Sequence, residues 1–175
     1  MMRRHLASTA LVLLALCAVA APSKRSAADS YIRASLDQAG QLHIASKDGR
    51  DITPKKEPEQ VGFDNVAISP DGRSVGWVAL YPFPLKLFVY SNGRVQTFTG
   101  SGLPIFKWRF RTGGKHVAFE QETLHGAGGI HAEIRNVATG RLIAKYDSPY
   151  NRDNQLVPVP SRDLPKWVQE LLNAK

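Results

Sequence analysis

The decapeptide Ile68-Ser69-Pro70-Asp71-Gly72-Arg73-Ser74-Val75-Gly76-Trp77 reads as strand, tight turn, strand. Val66 and Ile68 alternate with small or polar residues on the way in, and Val75 and Trp77 resume the alternation on the way out, the period of a β-strand. Between them Pro70 presets φ, Asp71 offers a carboxylate to the following amides, and Gly72 tolerates a positive φ. The same frame returns forty-two residues later: Trp108 falls on Val66, Phe110 on Ile68, Gly113-Gly114 on Asp71-Gly72, Lys115 on Arg73, Val117 on Val75 and Phe119 on Trp77. The second copy keeps a glycine and the basic residue but has neither the proline nor the aspartate. Asp71 is therefore a turn former before it is a candidate catalytic acid.

Outward from this hairpin, residues 74–81 form a long strand that is apolar on both faces, which predicts cover on both. Pro82 and Pro84 end it. Residues 85–90, the hairpin dipeptide Asn92-Gly93 and residues 94–99 complete a four-stranded antiparallel meander. A second meander follows Gly100-Ser101-Gly102. In its first strand Phe106, Trp108 and Phe110 are expected on the buried face, with Lys107, Arg109 and Arg111 on the other. Residues 116–122, 131–136 and 141–146 supply the remaining strands. Upstream, residues 31–36, 41–45 and 51–53 make an incomplete unit, whose Gly49-Arg50 matches Gly93-Arg94 and Gly140-Arg141. Residues 54–60, with Pro54, Pro58 and four charges, read as a linker between units.

A period of about 42–47 residues with four strands each is what a propeller blade shows. A closed propeller needs at least four blades. The expectation is thus an all-β fold: two to three blade-like antiparallel meanders in an open stack, an incomplete propeller, with one C-terminal helix. That helix is expected to begin at Asp163 as N-cap with Pro165 in its first turn. Trp167, Val168, Leu171 and Leu172 form an apolar stripe at helical spacing that should dock on a sheet face.

The Ser69-Pro70-Asp71-Gly72-Arg73 turn with Val75 and Trp77 after it, and the Ser91-Asn92-Gly93-Arg94 and Ala138-Thr139-Gly140-Arg141 patterns, resemble the repeats of TolB-type periplasmic β-propellers and their Pro-Asp-repeat relatives. The resemblance covers residues 30–146. It implies a blade-like scaffold whose usual work is binding, and it names no substrate.

The 175-residue chain begins with the pattern of a secretory signal. Arg3 and Arg4 form a positive start. Residues 11–21 are an apolar run too short for a spanning helix of about 20 residues, and Ala18-Val19-Ala20 is a small-x-small cleavage site. Residues 1–20 are read as the signal peptide, 21–29 as a flexible lead, 30–146 as the repeat domain, and 147–175 as a polar linker and helix. Ser26-Ala27-Ala28 is a second candidate cut. The expected location is periplasmic or secreted. The only cysteine, Cys17, lies within the signal. Leu16 before it is not the small residue that lipoprotein acylation favours, so anchoring there is disfavoured. The formal net charge is +8, and the chain remains basic without Arg3 and Arg4. That excess suits an anionic polymer or envelope protein. No nucleic-acid motif accompanies it, and no segment outside the signal reads as transmembrane.

The densest polar cluster is Glu120, Glu122, His125, His131 and Glu133, around the glycine-rich loop 124–129. Were residues 116–122 and 131–136 to pair, these groups could converge as ligands for zinc or another divalent ion. A small metal-dependent hydrolase using His125, His131 and Glu122 is the alternative this suggests. There is no His-Glu-x-x-His, no Cys-x-x-Cys and no full nucleophile elbow around Ser101, and no cofactor is expected. Tyr81 and Phe83 in an apolar loop, and the basic Lys107, Arg109 and Arg111, are candidate partner contacts. An uncovered blade face is a candidate for self-association. The leading expectation is an exported, non-catalytic binding module.

Overall fold

The computed structural model describes residues 30–82, 85–123 and 128–173. They form three antiparallel sheets and one helix, an open stack with no closed barrel. The first sheet holds β1 (Tyr31–Leu36), β2 (Leu42–Ser46) and the two-residue β3 (Asp51–Ile52). The second holds β4 (Gly62–Ile68), β5 (Ser74–Leu80), β6 (Lys86–Ser91) and β7 (Arg94–Phe98). The third holds β8 (Ile105–Arg111), β9 (His116–Gln121), β10 (His131–Asn136) and β11 (Leu142–Asp147), and α1 (Lys166–Leu172) follows.

Each four-stranded sheet is a meander in chain order, as the repeat predicts. The offset carries Ala67↔Gly76 onto Arg109↔Ala118 and Ile68↔Val75 onto Phe110↔Val117, so the two leading hairpins share one register. Both also carry a bulge, between Asp64 and Ala67 on β4 and between Ile105 and Lys107 on β8. The second bulge corrects one expectation. It inserts an extra residue, so Ile105 goes into the core and Phe106 is left exposed, while Trp108 and Phe110 face inward as their alternation requires.

The first sheet matches the last three strands of a blade rather than the first three. Tyr31 at the start of β1 pairs with Ser46, as Ser74 at the start of β5 pairs with Ser91. Leu42 and Ile44 are fully buried like Leu87 and Val89. β3 thus corresponds to β7.

The turns stack at one end of the molecule. Ser69 donates its hydroxyl to Asp71 Oδ1 at 2.7 Å and accepts the Ser74 amide at 2.9 Å, while Asp71 Oδ1 also accepts the Arg73 amide. The Gly72 carbonyl accepts the Tyr31 amide at 2.6 Å and ties the first sheet to the second. On the other side Gly114, at φ +103, lies against Ser69, where a Cβ would come within 2.7 Å of the Ser69 Cβ. The β2–β3 hairpin repeats the device, with the Ser46 hydroxyl bonded to Asp48 and the Arg50 amide to Ser46 Oγ. The Ser-x-Asp-Gly turn is geometric in both places.

Three apolar layers follow from the stacking. Tyr31, Leu42, Ile44, Phe63, Trp77 and Phe88 fill the space between the first two sheets. Val78, Leu87, Val89, Phe98, Trp108 and Phe119 fill the next. β5 lies at the centre and is buried along nearly its whole length, because it has a sheet on either side. The helix closes the outer face of the third sheet, with Val168 and Leu171 packed among Ala118, Ala132 and Ile134. Its start differs from expectation. Asp163 lies in a separate 3-10 turn (Ser161–Asp163), and Pro165 occupies the N-cap position with no side-chain cap. Proline's fixed φ tolerates that place, and its missing N–H leaves no donor unsatisfied.

Candidate functional site

The outer face of the first sheet carries polar side chains alongside the exposed Ile32. Register places Arg33 beside Ala45 and Ser35 beside His43 there. His43 directs Nε2 to Asp37 and Nδ1 to Asp51, each at 3.2 Å. A ring facing carboxylates on both sides donates to both only as an imidazolium. Its pKa is accordingly raised, chiefly by the bond to Asp51, then by that to Asp37. Among the described residues α1 covers the outer face of the third sheet, while that of the first carries Arg33, Ser35 and His43, with Ile32 exposed on β1.

The His/Glu cluster is divided by the sheet. β9 and β10 do pair, but Glu120 lies opposite Ala132, whereas His131 lies opposite Gln121 and Glu133 opposite Phe119. Paired residues project to the same face and neighbours along a strand to opposite faces, so Glu120 points away from His131 and Glu133. Burial pushes the Glu120 carboxyl up, while Lys107 at 3.5 Å opposes that shift. The buried Glu133 is paired with Arg135 at 2.6 Å, and His131 Nδ1 meets Asp147 at 2.9 Å. Glu122 follows β9, and its amide bonds to the Pro104 carbonyl. His125 lies outside the described residues. Among those described, no three His, Cys, Asp or Glu side chains gather as a metal-ligand group.

The basic strand face has partners within the chain. Lys107 meets Glu120. Arg111 donates to Glu170 Oε2 at 2.6 Å, and Arg109 to the Glu170 backbone carbonyl at 2.9 Å. Arg109 and Arg111 thus clamp the last turn of α1, where the carbonyl dipoles favour a cation. The Arg111 bond holds the Glu170 carboxyl below its ordinary range. Tyr81 is likewise engaged: its hydroxyl donates to Glu57 at 2.6 Å, and Lys86 sits 4.4 Å above its ring and 3.6 Å from Glu57. Burial, then the Glu57 carboxylate, pushes the Tyr81 phenol up. Phe83 lies outside the described residues.

A groove that sequence reading missed lies between the first two sheets. It encloses about 270 Å³. Its apolar lining is Ile52, Pro54, Trp77, Phe88, Tyr90 and Val95. Lys55 and Glu57 supply the charges of its lining. Val95 is half exposed, whereas Trp77 and Phe88 are buried and Tyr90 is partly so.

The repeat explains the groove. Phe98 stands four residues after Arg94, opposite Leu87, and packs on Phe119 with ring centroids 6.3 Å apart. Pro54 stands four residues after Arg50, and its carbonyl accepts Gln41 Nε2 beside Leu42, the counterpart of Leu87. Trp77 is the counterpart of Phe119. In the third sheet Tyr146, opposite Ala132, fills the same place against the helix layer. Where the other two units put an aromatic ring, this unit has a proline. Proline also leaves the ladder without a donor, which fits β3 stopping at Ile52. The signal was present in the sequence as the offset between Gly49-Arg50 and Gly93-Arg94.

No protein-family model matches the chain, and no curated protein matches it. Among the described residues no helix is long and apolar enough to cross a membrane.

Proposed function

We propose that this protein is an exported envelope component that works by binding, and that the aromatic groove between its first two sheets is the binding site. The groove carries the reading: it is an apolar concavity lined by Ile52, Pro54, Tyr90 and the half-exposed Val95 above the buried Trp77 and Phe88, and concavities of this kind are where ligands lodge. The basic start, apolar run and Ala18-Val19-Ala20 support export. The likeness to TolB-type blades supports a scaffold that presents binding surfaces. The hydrolase using His125, His131 and Glu122 is the second reading: His131 is engaged by Asp147 at 2.9 Å, and nothing among the described residues adds a metal-ligand group beside it.

The test is affinity capture from an envelope extract with wild-type protein and Val95→Glu, which places a charge at the half-exposed rim. A component retained by wild type and released by the folded variant supports the groove. Equal retention by both assigns binding elsewhere and overturns this reading. Fractionation of cells expressing the full chain tests export; protein recovered only with the cytosol, its first twenty residues intact, overturns that part.

A further inference from the structure

We infer that the turn end of the stack docks an acidic polysaccharide, its carboxylates on a field of cations and its hydroxyls on neutral side chains between them. This surface is a second one, which shares only Val95 with the lining of the aromatic groove.

The repeat builds the field. Five hairpins turn at this end, and each closes on a glycine followed by a basic residue: Gly49-Arg50, Gly72-Arg73, Gly93-Arg94, Gly114-Lys115 and Gly140-Arg141. Bonds between turns hold them together. The Gly72 carbonyl accepts the Tyr31 amide, the Arg73 carbonyl accepts the Ser91 hydroxyl at 3.3 Å, and the Lys115 carbonyl accepts the Val137 amide at 3.0 Å. Lys47, Arg73, Arg94, Lys115 and Arg141 are exposed. Among the described residues their side chains have no hydrogen-bond or ion-pair partner.

The acids of this end do not offset them. Asp48 is paired with Arg50 at 2.7 Å, and Asp51 with His43 at 3.2 Å. Asp71, held by the Ser69 hydroxyl, is the one carboxylate there without a cationic partner among the described residues. Asp37, Glu57, Glu122 and Asp147 lie at the opposite end, on the connections β1–β2, β3–β4 and β9–β10 and at the close of β11.

A polar groove of about 460 Å³ lies between the β6–β7 and β10–β11 hairpins. Ser91, Asn92, Arg94 and Gln96 belong to its lining. Gly140 abuts the Gln96 amide, where a Cβ would stand 3.3 Å from Nε2, so the Gly140-Arg141 turn borders the groove. Amides and a hydroxyl beside an arginine supply what a hydroxylated ring bearing a carboxylate takes up. A polyphosphate would use the cations and leave those neutral groups idle. Stacked sheets about 10 Å apart repeat the cations along the stack, which suits a chain of repeated charge rather than one small anion. The turn tips Asp48-Gly49, Pro70-Asp71-Gly72, Asn92-Gly93, Gly113-Gly114 and Thr139-Gly140 hold no large apolar side chain to enter a bilayer.

The purified protein is titrated calorimetrically with polygalacturonate, dextran, inorganic polyphosphate and vesicles of phosphatidylglycerol in phosphatidylcholine. Polygalacturonate should bind and the neutral dextran should not. Arg94→Gln with Arg141→Gln should weaken that binding about tenfold, the range of two exposed ion pairs. Should that pair lose the wild-type circular dichroism, Lys47→Gln with Arg73→Gln should show the same loss. Arg152→Gln with Arg162→Gln removes equal charge from the tail after β11 and should leave the affinity unchanged. An equal loss in this tail variant reduces the effect to net charge and overturns the surface. Polyphosphate or vesicles bound as tightly as polygalacturonate, or no binding of polygalacturonate, overturns the polysaccharide.

Discussion

The six-membered ring of Trp108 on β8 rests directly on Gly76 in the middle of β5. A Cβ at Gly76 would stand 2.8 Å from Cζ3 and closer still to Cη2. The indole N–H meanwhile donates to the Asn65 carbonyl at 3.0 Å. Asn65 has a φ of +49 and sits within the β4 bulge, where a carbonyl is free of the regular ladder. The second and third sheets are thus registered by one side chain, received by a glycine and a bulge.

Gly76→Ala should therefore destabilise the fold by about 1–3 kcal/mol through overpacking. Urea denaturation is the measurement. Adding Trp108→Leu, which removes the ring, should recover part of the loss. Strictly additive losses would count against this contact as the cause.

The Asp37–His43–Asp51 clasp makes stability depend on pH. The raised His43 pKa means its contribution is present below about 6.5, the ordinary value, and is lost as pH rises through the higher folded value. The lowered Asp37 pKa, set first by the Gln41 amide, means its contribution is present above about 3.8 and is lost as pH falls. The melting-temperature difference between wild type and His43→Gln should be largest between about pH 4 and 6.5 and shrink above it. A difference flat from pH 5 to 9 would refute the clasp.

Arg135→Met should leave Glu133 buried and unpaired, because Glu133 is only 3 % exposed. The expected cost is about 3 kcal/mol at neutral pH, the low end for breaking a buried pair since Arg135 is partly exposed. Chemical denaturation at neutral pH is the measurement, and an Arg135→Met variant as stable as wild type would refute the pairing.

Leu171→Ala should cost about 2–5 kcal/mol, since Leu171 is fully buried between α1 and the third sheet. Hydrogen exchange should then quicken in α1 and on β9 and β10 while the first sheet keeps its protection. Uniform acceleration would mean that the helix is not a local cover.

Much of the fold was legible because its signals are local. Pro70-Asp71-Gly72 and Asn92-Gly93 mark turns by their own backbone preferences, and alternation marks the strands. The bulges were not legible, since an extra residue in one strand shows only against its partner; this is why Phe106 was expected inside and is exposed. The candidate site divided in the same way. Glu120, His131 and Glu133 look adjacent in sequence and on paired strands, yet a register set by the hairpin sends them to opposite faces. Tyr81, Lys107, Arg109 and Arg111 look available until Glu57, Glu120 and α1 are brought against them. The groove residues Trp77, Phe88 and Tyr90 read as ordinary core.

The sequence by itself determined that this is a chain of repeated antiparallel hairpins with a helical end, because strand period and turn chemistry act within a few residues. Only the tertiary structure decided what each repeat lacks or gains. Stacking compares residues far apart in the chain, and it is there that a proline at position 54, set against the phenylalanine at 98 and the tyrosine at 146, becomes a groove.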